Sequence, residues 1–245
     1  MKVIVVASPA EVCLRAARIV DRTLRARPET VLGLPTGNTP GALYVELGRL
    51  HREAGLSFAR ASAFALDEYV GLAPDHPGAF RRHLSETLCR QIDLPADRTH
   101  FPDGQSTDLP AACARYEAEI AAAGGIDLLL LGLGADGHIA FNEPGSSFES
   151  RTRIERLTEG TRAANRGAFG PEAVPRRAIT VGIATILEAR RCLLLAFGSA
   201  KATAVAQMVE GPPTGRVPAS ALQLHPRATI LIDEAAAAGL TPRGA

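Results

Sequence analysis

The chain has 245 residues, 46% hydrophobic and 22% charged, with 27 Lys and Arg against 26 Asp and Glu for a net charge of +1. That much apolar material fills a sizeable core and argues against disorder. The near-neutral balance gives no general attraction for nucleic acid or an anionic membrane, so an anion must be held by a local site. Aromatic residues are only 4% and Trp is absent, which weakens binding by stacked bases or sugar rings.

Val3 to Ala7 is a short β-branched run, the pattern of a strand buried on both faces. Ser8-Pro9-Ala10-Glu11 predicts a helix start: Ser8 caps, Pro9 fits the first helical position and Glu11 is the capping-box acid. Val12, Ala16, Ile19, Val20 and Thr23 follow at helical spacing. The unit then repeats in outline. Val31 to Leu34 reads as a strand, followed by Thr36-Gly37-Asn38-Thr39-Pro40 and a helix to about Ala54. Ala63 to Leu66 reads as a strand, then Asp67-Glu68-Tyr69 and a long loop to Pro77. A helix carries Phe80, Leu84, Leu88 and Ile92, and another spans about Pro110 to Ala123. Ile126 to Leu131 is the most apolar strand, and Gly132 to Gly145 is a glycine-bearing loop. Residues 150–180 are polar and Arg-rich with weak periodicity, the pattern expected of a lid or subdomain. Arg191 to Phe197 reads as a strand, Gly198 to Lys201 as a turn, Ala202 to Val209 as a helix, and Thr229 to Ile232 as a last strand.

Strands alternating with helices predict a three-layer, Rossmann-like α/β fold, with a mainly parallel sheet flanked by helices and a lid at about 150–180. With no linker or composition break, residues 1–245 read as one domain. Cys13, Cys89, Cys113 and Cys192 are dispersed, without CxxC spacing or neighbouring His, so zinc and thioredoxin-like sites are not expected. Buried, reduced thiols in a cytoplasmic protein are the expectation. The apolar start is too short for a signal peptide, and no run approaches the roughly 18 residues of a membrane span.

Ligands of such sheets lie beyond the carboxyl ends of the strands. Four polar segments leave strands there: Thr36–Thr39, Asp67–Tyr69, Asp136–Glu143 and Ser199–Lys201. Thr36, Gly37, Asn38 and Thr39 open a helix, where backbone N–H groups and hydroxyls suit a phosphate, and Lys201 supplies countercharge. Taken singly, these segments also fit an ordinary turn, loop-capping acids and a solvated Lys. His138 between Asp136 and Glu143 suits a proton shuttle near neutral pH. Metal binding is not expected, because HxH and HExxH are absent and the six His are scattered.

Together LGLPTGNTP (32–40), FALDEYVGL (64–72), LGLGADGHIAFNEPGSSFESRTRI (131–154), AITVGIATILEA (178–189), GSAK (198–201) and LQLHP (222–226) resemble the glucosamine-6-phosphate deaminase family, within the 6-phosphogluconolactonase-like superfamily. The resemblance runs the length of the chain. It implies conversion of glucosamine 6-phosphate and water to fructose 6-phosphate and ammonia. Asp67, Asp136, His138 and Glu143 would be catalytic, and Thr36, Gly37, Asn38, Thr39 and Lys201 would hold the phosphate. No cofactor is implied; the partner is a small sugar phosphate, and a homo-oligomer is compatible with it. Deamination of another amino-sugar phosphate such as galactosamine 6-phosphate, lactone hydrolysis, and a non-catalytic sugar-phosphate sensor are the alternatives.

Two positions depart from the family pattern. Allosteric members bind N-acetylglucosamine 6-phosphate with a Ser and an Arg matching Ser146 and Arg153, plus a Lys where this chain has Glu155. Ser146 and Arg153 are therefore expected to be a vestige of that site. The family also places a phosphate-binding Arg in the lid, where this chain has Gly167; Arg166 is the expected replacement, or Arg162 one turn earlier.

Overall fold

The computed structural model of the protein describes residues 1–241, apart from the side chain of Asn38. The chain begins with β1 (Lys2–Val6) and α1 (Pro9–Ala26), continues with β2 (Val31–Leu34), α2 (Asn38–Ala54), β3 (Ser62–Ala65) and β4 (Asp67–Tyr69), and then α3 (Phe80–Thr87) and β5 (Thr99–His100). After α4 (Leu109–Ala122) and β6 (Leu128–Gly132) come β7 (Arg153–Arg156), α5 (Glu159–Asn165) and β8 (Arg177–Thr180). It closes with α6 (Ile183–Leu187), β9 (Cys192–Ala196), α7 (Ala202–Glu210), β10 (Ala228–Asp233) and α8 (Glu234–Ala237).

The local signals work as their chemistry dictates. The Ser8 hydroxyl accepts the Glu11 N–H at 3.3 Å, while the Glu11 carboxylate reaches back to the Ala7 N–H. The apolar runs become strands of one parallel sheet in the order β1-β10-β9-β6-β2-β3-β5. Their residues alternate between two cores. Leu128, Leu130, Leu193 and Leu195 pack with α1 and α2 through Val12, Ala16, Leu43 and Leu47. Leu129, Leu131 and Leu194 face Tyr116 and Ile120 of α4 and Val205 and Met208 of α7. A sheet covered on both faces is why these strands read as unbroken apolar runs. No helix among the described residues is long and apolar enough to cross a membrane.

One expectation changes, and two segments gain structure that the sequence left unassigned. β1 is an edge strand rather than one buried on both faces, and Val5 is 47% exposed. Asp67–Tyr69, the polar segment after β3, forms a strand of its own, β4. Residues 150–180 are not all irregular: β7 and β8 join β4 in a second, antiparallel sheet, with Asp67 opposite Thr180 and Arg153 opposite the same residue on the other side.

Gly104 sets how closely the neighbouring loop packs on β4. A Cβ there would lie 2.2 Å from the Tyr69 carbonyl oxygen, and the Gly104 carbonyl accepts the Gly71 N–H at 2.8 Å. Gly104→Ala must push backbone against backbone. It should cost about 1–3 kcal/mol of stability by displacing the end of β4. Urea unfolding measures it; an unchanged midpoint would mean that the loop gives way freely.

Candidate active site

The strand order reverses between β2 and β6: β3 and β5 lie beyond one, and β9, β10 and β1 beyond the other. Chains leaving two such strands part, and a crevice opens outside their carboxyl ends. A cavity of about 280 Å³ occupies that place. Pro35, Thr36, Gly37 and Thr39 line it after β2, Asp67 after β3, Gly132 to Ala135 with His138 after β6, and Lys201 after β9. Ala164 and Asn165 of α5 cover it. A larger groove, about 720 Å³, runs beside α3 and β5 but contains none of these residues. Position at the strand ends, rather than size, marks the site.

α2 begins without a side-chain cap, from Gly37 at φ 115°, so backbone N–H groups of its first turn are left for a ligand. Lys201 follows Gly198, whose N–H is held at 3.0 Å by the buried Asp233. Burial lowers the Lys201 pKa and the nearby Asp136 charge opposes this. The side chain of Asn38, a fourth expected phosphate contact, lies outside the described residues.

Asp67 is 5% exposed and its Oδ1 has no hydrogen-bond partner. Burial, and then the charge of Glu68, push its pKa up to about 8. Glu68 is buried too, and burial raises its pKa, but its carboxylate accepts the N–H groups of Tyr69, Phe80 and Arg81 at 2.8–3.0 Å. Those donors favour the charged form at Glu68. Asp67 has none, so Asp67 is the member of the pair that exchanges a proton near neutral pH.

His138 rests on Gly134, where a Cβ would lie 2.3 Å from the ring Nδ1. Nδ1 stands 2.7 Å from Asp136 Oδ1, out of line for a hydrogen bond, and the His138 backbone N–H donates to the same oxygen at 3.2 Å. Contact with His138 is the main cause that holds the Asp136 carboxyl below its usual range. The ligating atoms of Asp136, His138 and Glu143 all lie within 4.8 Å of one another, a spacing that would also suit a cation. Asp136 and Glu143 flank the imidazole, which alone of the three lines the cavity.

Arg166 is not brought to this cavity. It lines a separate groove with Arg162, whose Nε donates to the Val174 carbonyl. Arg153 donates to Ser146 Oγ and Asn142 Oδ1 at 2.8 Å each, and its other partner is Glu155 at 2.5 Å. Sequence reasoning missed Asn142, which is fully buried and donates to the Ile139 and Val181 carbonyls, fixing the loop that carries Glu143. It also missed Thr158, the cap of α5, although Thr before Glu-Gly is a legible capping signal.

Fold and site define an α/β protein with an acid–base cluster in its switch-point crevice. The family profile described as glucosamine-6-phosphate isomerases/6-phosphogluconolactonase matches residues 7–231. A glucosamine-6-phosphate deaminase of Pseudarthrobacter chlorophenolicus is 51% identical over 98% of this chain and 93% of its own length. One of Rhodopirellula baltica is 52% identical over 94% and 92%. The solved structure of a monomeric glucosamine-6-phosphate deaminase matches with a TM-score of 0.95 at 44% identity, over 98% of this chain and all of that one. A 6-phosphogluconolactonase of Trypanosoma brucei shares the fold at a TM-score of 0.78 and 23% identity, over 98% of each chain. The chain belongs to the glucosamine-6-phosphate isomerase/6-phosphogluconolactonase family.

The Asp67 pKa has a thermodynamic signature. Its unfolded value is about 4, so between there and about 8 the folded state keeps a proton that the unfolded chain has released. Stability is therefore lost as pH rises through this window. Asp67→Asn cannot ionise. Its melting temperature, relative to wild type, should climb from pH 4 to pH 8 and level off above. Parallel pH curves for the two proteins would show that Asp67 is not held protonated.

Proposed function

We propose that the protein is a glucosamine-6-phosphate deaminase, converting glucosamine 6-phosphate and water to fructose 6-phosphate and ammonia. The observation that carries this reading is Asp67, a buried carboxyl with one free oxygen in the same cavity as His138. Lactone hydrolysis would need His138 to activate water but no second base; the deaminases are also the relatives near half identity.

The phosphate sits at the start of α2, on the Thr36–Thr39 segment and Lys201, and orients the sugar. His138 moves a proton from the anomeric hydroxyl to the ring oxygen, and the ring C–O bond breaks to give the aldehyde. Asp136 and Glu143 hold the imidazole and stabilise its charged form. The C2 proton is now acidic; Asp67 removes it, leaving an enolamine, and returns it to C1. The resulting C2 imine adds water and expels ammonia, giving the ketone. The substrate's own aldehyde and imine are the electron sinks, so the steps need no organic cofactor. Deprotonated Asp67 is required, and binding of the cationic amine of the substrate favours that form. Residues 159–174, with α5 at their start, act as the lid. Every group named comes from one copy of the chain. Four free cysteines accord with a cytoplasmic location.

Ammonia and ketose phosphate, measured together across several amino-sugar phosphates, test the assignment. Asp67→Asn should lower turnover by about 10²–10⁴-fold with sugar-phosphate binding nearly intact. Turnover near wild type would sink it.

We also read the Ser146–Arg153 site as closed to an effector. Glu155 puts a carboxylate on Arg153 where an effector phosphate would need a cation. Velocity should be hyperbolic in substrate and barely changed by N-acetylglucosamine 6-phosphate. A sigmoidal curve that the effector straightens would overturn this.

A further inference from the structure

Glu143 is 5% exposed, and its carboxylate has two attachments. One is the cluster with His138 and Asp136. The other is Thr158. The Thr158 backbone N–H donates to Glu143 Oε1 at 3.1 Å, and its hydroxyl lies 3.3 and 3.4 Å from the two carboxylate oxygens. The same hydroxyl accepts the Thr161 N–H at 3.2 Å and so caps α5. A cap normally accepts from the helix and leaves its proton to solvent; here the hydroxyl lies 3.1 Å from the Thr161 hydroxyl, with the buried Glu143 carboxylate as the charged acceptor within reach.

The two ends of this arrangement are held differently. Asn142, next to Glu143, is tied to Ile139, Val181 and Arg153, so the loop bearing the carboxylate is fixed. α5 has seven residues, and its far end, Ala164 and Asn165, lines the substrate cavity. A displacement of α5 would therefore reach Glu143 through Thr158.

We infer that Thr158 is a positioning residue: it fixes the Glu143 carboxylate beside His138 and ties that carboxylate to the helix covering the substrate. The kinetic part rests on the deaminase reading; the tie itself does not. Thr158→Val keeps the shape and removes the hydroxyl. It should lower kcat about tenfold, the loss of one hydrogen bond to a charged group, with KM nearly unchanged. Thr158→Ser restores the hydroxyl and should restore kcat. In a Glu143→Ala background, Thr158→Val should cost less than about twofold, because residues acting through one another are not additive. Should Glu143→Ala not fold, Glu143→Met, of similar length and without a carboxylate, takes its place in the cycle and in the exchange measurement.

The second measurement needs no turnover. In free protein, Glu143→Ala should speed amide hydrogen exchange at residues 161–165 and leave α7 unchanged. Equal kinetic losses in both backgrounds, failure of Ser to restore kcat, or unchanged exchange in α5 would each overturn the inference. A wild-type protein that releases no ammonia would instead refute the deaminase reading, and exchange would still decide whether Glu143 holds the helix.

Discussion

Leu66 carries the chain from one sheet into another, and the site depends on that crossing. Its N–H donates to the Leu34 carbonyl at 3.2 Å, continuing the pairing of β3 with β2, and its own carbonyl accepts the Val181 N–H at 2.8 Å, which begins the pairing of β4 with β8. The backbone is thus fixed on both sides of Asp67. In extended chain, successive side chains point to opposite faces. Asp67 therefore enters the crevice, while Glu68 turns to the first N–H groups of α3. Phe80, at the start of that helix, stacks on Phe141, and both line the cavity.

The cavity is built at a cost in stability. Asp67 Oδ1 and His138 Nδ1 are buried without an aligned partner, as is the hydroxyl of neighbouring Tyr69. Ala140, which also lines the site, has φ 49°, a left-handed conformation that a non-glycine residue adopts at a penalty. Such features persist where surrounding structure over-determines them. Here the surroundings are the two parallel-sheet cores, the Asn142 bond to Val181 just after β8 and the Asp233 hold on Gly198. His83 Nε2 and Thr152 Oγ1 are also buried without a partner, away from the cavity, but Asp67 and His138 line it, and their unmet capacity faces the place a ligand would take.

Much of this was legible in the residues. Short apolar runs gave the parallel strands, because a strand buried on both faces has little choice of side chain. Ser8 and Glu11 announced α1, and the four strand-end segments meet at one cavity. The second sheet was not legible. β4 has three residues, two of them acidic, and its partner β8 lies over a hundred positions away, so neither periodicity nor composition marks it. β1 misled for the opposite reason: its apolar sequence describes one covered face and one edge, which a run of valines does not distinguish. Arg166 was placed by analogy with a neighbouring position, yet on a helical lid a shift of one residue turns a side chain by about 100°. That rotation suffices to put its guanidinium in another groove.

Sheet order also bears on synthesis of the chain. The first strand made, β1, pairs only with β10, whose first residue is Ala228. At about 5–20 residues per second, roughly 10–50 s separate the two on a ribosome. Throughout that interval Val3, Ile4, Val5 and Val6 have no strand to receive them, and β9, once made, lies bare along its outer side until β10 follows. The sheet closes last at its N-terminal edge, so a nascent chain halted after β9 but before residue 228 carries β1 unpaired and β9 open on one side, a surface that chaperones and other stalled chains can bind.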